Sequence, residues 1–102
     1  MIQAEGDIAD LVNGEFSIVD FYSDGCVPCR MLEGILARLE SEMPFIRIIR
    51  ANISQSPEYA EEFGISATPT LVYFKDGEVC GRTVGFKTLD ALRETVGAYL
   101  YD

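Results

Sequence analysis

Cys26-Val27-Pro28-Cys29 follows a short apolar, β-branched segment and opens a helical pattern. Residues three apart at a helix start share a face, so these two sulfurs can close a small disulfide with little backbone movement. The first cysteine falls among unpaired helix-start amides, where the helix dipole favours negative charge and populates thiolate. Cys26 is therefore assigned as the nucleophile. Cys29, one turn deeper, is the shielded resolving thiol that attacks a mixed disulfide and releases the product. Pro28 gives up an amide hydrogen that a helix start does not need. The pair could instead be half a metal site. A closed zinc site wants four Cys or His ligands, whereas this chain offers one further cysteine, Cys80, and no histidine. No metal and no cofactor are expected, and Cys-His and Ser-His-Asp catalysis are excluded.

The elements around this pair follow from pattern. Phe16-Ser17-Ile18-Val19-Asp20-Phe21-Tyr22 is apolar on both faces, as a central strand would be. Leu32, Ile35, Leu36 and Leu39 recur at helical spacing, so a helix runs from about Cys26 to Ser41 and stops before Pro44. The segment 45–53 reads as a second buried strand. After it, Ser56 can cap a short helix begun by Pro57 and ended by Gly64. Thr70–Phe74 and Glu78–Val84 flank Asp76-Gly77, a pairing suited to a two-residue hairpin. A last helix opens at Thr88 and places Leu89, Leu92, Val96, Tyr99 and Leu100 on one stripe. A weak strand and a short helix occupy the first dozen residues. The resulting order predicts an α/β fold with a mixed sheet and helices on both faces.

Composition narrows the partners. The 102 residues carry 8 basic and 17 acidic side chains, a formal charge of 8 − 17 = −9. Such a surface repels phosphate backbones and anionic lipid, so neither nucleic acid nor membrane is expected. The acidic start lacks the basic flank of a signal peptide, and no apolar run approaches membrane-spanning length. A cytoplasmic protein is expected, where thiols are normally kept reduced.

Four segments together resemble the thioredoxin family over nearly the whole chain. Val19-Asp20-Phe21 stands six residues before the first cysteine, as the family's buried aspartate does. Gly64-Ile65-Ser66-Ala67-Thr68-Pro69-Thr70-Leu71 resembles the loop whose cis-proline faces the disulfide. Phe74-Lys75-Asp76-Gly77-Glu78 is similar to the family's hairpin, and Val84-Gly85 to the glycine packed beside its active site. The resemblance implies a thioredoxin-like fold, a redox disulfide between Cys26 and Cys29, and a cis bond before Pro69. It implies disulfide-containing protein substrates and a thioredoxin-reductase-like electron donor.

Each assignment has a plainer alternative. Asp20 could be a turn or edge carboxylate, but its apolar strand argues for burial, which raises a carboxyl pKa and suits it to accept the Cys29 proton. Pro69 could be an ordinary trans residue. Arg50 corresponds either to the family's partly buried lysine or to a solvated edge charge, and Asn52 beside it is given no chemistry. Cys80 reads as a buried structural thiol. Gly25, Val27, Pro28, Thr68, Val84, Gly85 and Phe86 form the expected substrate-binding rim. The sequence departs from the family's usual pattern at Gly25, where a tryptophan is common, at Val27 in place of glycine, and at Gly34, where many members have proline. Residues 1–102 are thus expected to form one thioredoxin-like domain, a monomeric protein disulfide reductase that carries electrons in cell redox homeostasis. The alternatives are a specialised donor to one partner enzyme and an interaction module whose dithiol is incidental.

Overall fold

The centre of the sheet is the segment that the sequence leaves no polar face for. In the computed structural model, which describes residues 1–101, Phe16–Tyr22 forms β2, and Phe16 to Phe21 are buried. Around it lie β1 (Ile2–Gln3), α1 (Ile8–Leu11), α2 (Val27–Glu42), β3 (Arg47–Asn52), α3 (Pro57–Phe63), β4 (Thr70–Lys75), β5 (Glu78–Val84) and α4 (Leu89–Tyr101). The strands form one sheet in the order β1-β3-β2-β4-β5. β1, β3 and β2 run parallel, while β4 pairs antiparallel with β2 and with β5.

Period-two alternation sends the residues of β2 to opposite layers. Phe16 and Ile18 pack with Leu32, Leu36 and Leu39 of α2 and with Leu92 and Val96 of α4. Val19 and Phe21 pack with Ile8, Val12 and Tyr59 from the α1 and α3 side. Each fully buried leucine on α2 contributes about 2 kcal/mol of transfer free energy, so this stripe fixes the helix that carries the cysteines against the sheet. Asp20 shares the parity of Phe16 and Ile18, and lies beneath α2.

Local signals set the ends. Gly64 adopts φ +64 and donates its amide to Ala60, closing α3. Asp76 and Gly77 have φ +52 and +83 in the two-residue turn, and Thr88 Oγ1 accepts the Ala91 amide at 3.1 Å to cap α4.

Three expectations need correcting. Ser56 makes no side-chain cap bond; Asn52 Oδ1 instead accepts the Ser54 and Gln55 amides at 2.9 and 3.2 Å ahead of α3. The second strand begins at Arg47, because the turn after Pro44 is closed by Ile46 donating to Met43 and leaves Phe45 exposed. Cys80 is exposed rather than buried. Tyr73 pairs with Gly81 but Phe74 with Val79, so Cys80 is the extra residue of a bulge, and its thiol turns to donate to the Tyr73 carbonyl at 3.4 Å.

Candidate active site

Cys26 and Cys29 are joined by a disulfide, with their Cα atoms 5.3 Å apart. Cys26 is the N-cap of α2 rather than its first residue, and its Sγ accepts the Cys29 amide at 3.2 Å. A sulfur held there meets both a backbone donor and the positive end of a 16-residue helix. Cys29 is buried and Cys26 only half-buried, so a large partner can reach the first sulfur and not the second.

The loop before β4 closes over this pair. The Thr68-Pro69 bond is cis, and the Thr68 carbonyl oxygen lies 3.7 Å from Cys26 Sγ. Gly85 donates its amide to the Pro69 carbonyl at 2.8 Å, which brings the end of β5 alongside. Val27 and Val84 are more than half exposed and Phe86 is 37% exposed. Pro28 is exposed, Thr68 and Gly85 are half-buried, and Pro69 is buried.

Several contacts at the site have no counterpart in the sequence reasoning. Ser23 and Thr68 share a hydroxyl hydrogen bond of 2.7 Å. Asn52 Nδ2 donates to Asp24 Oδ1 at 3.0 Å, and the Asp24 amide donates to Ser54 Oγ at 3.0 Å. These bonds tie the loop before Cys26 to the loops after β3 and before β4. Met31, 57% exposed, stands one helical turn from Val27 and extends the apolar rim along α2. Its place off the Leu32, Leu36 and Leu39 stripe is the signal that could have found it. Gly25 sits at φ +70 with open space around it, so a tryptophan there meets backbone strain rather than a clash.

Beneath α2, Asp20 is fully buried. Arg50 Nε donates to its Oδ2 at 3.2 Å, while Oδ1 has no hydrogen-bond partner. Burial raises the Asp20 carboxyl from 3.8 to about 6, against the opposing charge and hydrogen bond of Arg50 and with a smaller push from Glu33. A group that titrates there can hold or release a proton near neutral pH. Arg50 is thus the partly buried partner of the aspartate and not a solvated edge charge. A cleft of about 480 Å3 opens elsewhere, between the N-terminal loop and α3, with Glu5, Asp7, Glu58 and Glu62 in its wall.

The model of the thioredoxin family matches residues 5–98. The chain belongs to the thioredoxin family. It is 38% identical over 98 residues to a thioredoxin of Chlamydia muridarum, covering 96% of each protein. It is 37% identical over 84 residues to thioredoxin of Bacillus subtilis, covering 81% of each. A variant thioredoxin from Halobacterium salinarum superimposes with a TM-score of 0.88 at 30% identity, over 96% of this chain and 88% of that one. The protein is a thiol-disulfide oxidoreductase of the thioredoxin type, with Cys26 and Cys29 as its redox pair. An interaction module with an incidental dithiol is not favoured. Thioredoxins as a class take disulfide substrates and draw electrons from a reductase. Among the described residues, no helix is long and apolar enough to cross a membrane.

Proposed function

We propose that Cys26 attacks substrate disulfides, that Cys29 resolves the mixed disulfide, and that Asp20 takes the Cys29 proton. The half-exposed position of Cys26 against the buried position of Cys29 carries this order of attack. In the first step the Cys26 thiolate displaces one substrate sulfur, leaving that sulfur as thiolate and Cys26 bonded to the other. Asp20 then accepts the Cys29 proton, and the Cys29 thiolate attacks Cys26 Sγ. The intramolecular disulfide forms, the second substrate sulfur leaves as thiolate, and solvent protonates it. Two electrons pass from the dithiol to the substrate.

Gly25, Val27, Pro28, Thr68, Pro69, Val84, Gly85 and Phe86 form the docking rim. The backbone beside Pro69 offers an extended substrate a strand-like partner. Val27 and Pro28 supply neither charge nor a side-chain donor to stabilise thiolate, so the dithiol lies toward the reducing end of the scale, near the family's own reference of about −270 mV. The working unit is residues 1–102 as one monomeric domain in the cytoplasm, although Asp102 lies outside the described residues. A thioredoxin-reductase-like donor recharges it, and it serves electron transport and redox homeostasis. Lacking the rim aromatic at Gly25, it is selective in its choice of reductase.

Trapping tests the order of attack. Incubated reduced with a disulfide-bonded protein, Cys29→Ser accumulates mixed disulfides by mass spectrometry and Cys26→Ser does not. Accumulation in Cys26→Ser alone would reverse the two roles.

A further inference from the structure

The Asp20 ion pair is lopsided. A guanidinium meets a carboxylate most strongly through two parallel N–H···O bonds. Here Arg50 makes one, from Nε to Oδ2 at 3.2 Å, and Oδ1 is buried without a partner. Two further contacts hold the guanidinium in that posture. Nη1 lies 3.3 Å from Glu33 Oε1 on α2. The guanidinium plane covers the Tyr22 ring, with Cζ 3.9 Å from its centroid, and the Tyr22 hydroxyl donates to Gln3 Oε1 at 3.2 Å.

We infer that Glu33 is a positioning residue for the thiol chemistry: it draws Arg50 toward the outer side of α2, so that one oxygen of Asp20 stays free to receive a proton. The inference rests on Asp20 being the proton acceptor proposed above. Leaving a buried carboxylate oxygen unpaired costs folding free energy, and the expected use of such an oxygen is to gain a hydrogen. With Glu33 absent, the guanidinium is free to turn on the Tyr22 ring and present a second N–H to Oδ1. The carboxylate is then held charged more firmly, and its accepting oxygen is occupied.

The groups facing Asp20 are few. β3 presents Arg50 and α2 presents Glu33, and α2 also carries the buried Cys29. β4 places Leu71 opposite, and Tyr73 further along that strand is engaged with Thr83. Arg50 and Glu33 are the charged side chains that act on the Asp20 carboxyl. Glu33 is half exposed, 48% by side-chain area, so salt screens its pull and substitution there leaves the core intact.

The test follows the Asp20 carboxyl by carbon NMR in the reduced protein, together with the pH profile of mixed-disulfide resolution. In Glu33→Ala the Asp20 midpoint falls by about one pH unit, as expected for a carboxylate gaining a closer cationic partner. In Glu33→Gln it falls less, since the amide oxygen still accepts from Nη1. In an Arg50→Lys background the effect of Glu33→Ala shrinks, because an ammonium has no second prong to offer. An unmoved midpoint in Glu33→Ala, or equal shifts in the alanine and glutamine variants, overturns the inference. A midpoint that falls in alanine more than in glutamine supports the hold of Glu33 on Asp20; if the resolution profile then fails to follow, that result refutes Asp20 as the acceptor instead.

Discussion

Replacing Asp20 by asparagine keeps the volume of the side chain and removes its charge, and the structure sets the size of the effect. The folded carboxyl titrates at about 6 against an ordinary 3.8, with burial as the main cause. At about 1.4 kcal/mol per pH unit, that difference makes the ionised carboxyl about 3 kcal/mol less compatible with the folded state than the neutral one. The folded value is raised, so the contribution to stability is fully present below the unfolded pKa and is lost as pH rises through about 6. Asp20→Asn has no such group. The stability difference between variant and parent, measured by urea denaturation of the oxidised proteins from about pH 3.5 to about pH 8, therefore grows in the variant's favour by about 3 kcal/mol. Titrations common to both proteins cancel in that difference. The loss of the Arg50 ion pair is an offset against the gain at high pH and is already included in the raised value. A difference flat across this range would refute the claim that burial dominates the Asp20 environment. The same variant should resolve mixed disulfides more slowly near neutral pH, so greater stability and slower chemistry arrive together.

Gly25→Trp should lose about 1–2 kcal/mol, the cost of a left-handed backbone for a bulky residue, whereas Gly25→Asn should lose much less; equal chemical stability of the two variants would contradict the φ of +70. Gly81→Ala drives a methyl into the Tyr99 hydroxyl and the ring carbon that bears it, on a ring that packs on Tyr73 at 5.3 Å. It should cost about 1–3 kcal/mol, and a double-mutant cycle with Tyr99→Ala should recover most of that loss. Cys80 should be alkylated by iodoacetamide without denaturant, but more slowly than a free thiol, since partial burial raises its pKa despite an opposing backbone hydrogen bond and Lys75; mass spectrometry showing no native-state reaction would contradict its exposure.

The legible parts of this chain are those governed by period. β2 and β3 are apolar on both faces, and Leu32, Leu36 and Leu39 repeat at helical spacing, so sheet centre and active-site helix follow from local pattern. Cys26-Val27-Pro28-Cys29 was legible because two reactive residues sit at a helix start. Cys80 was not: the general tendency of a free cysteine to be buried says nothing of the bulge that turns this one outward, and a single inserted residue leaves no mark in composition. The Asp24–Asn52, Asp24–Ser54 and Ser23–Thr68 bonds join residues 28 to 45 positions apart. Such contacts depend on tertiary placement, which hydrophobic period does not encode. Nothing in the helical pattern marks Glu33 either, whose contact with Arg50 depends on where β3 lies beneath α2.

The two borders of the sheet carry a further consequence. β1 spans only two residues, while β5 is kinked at Cys80 and has its exposed Arg82 bonded to the Phe63 carbonyl at 2.7 Å. Short, kinked and charged margins are poor templates for another chain to extend. An extended chain therefore finds little ladder to join at either margin. Edge-to-edge pairing between two copies of this chain is disfavoured for the same reason.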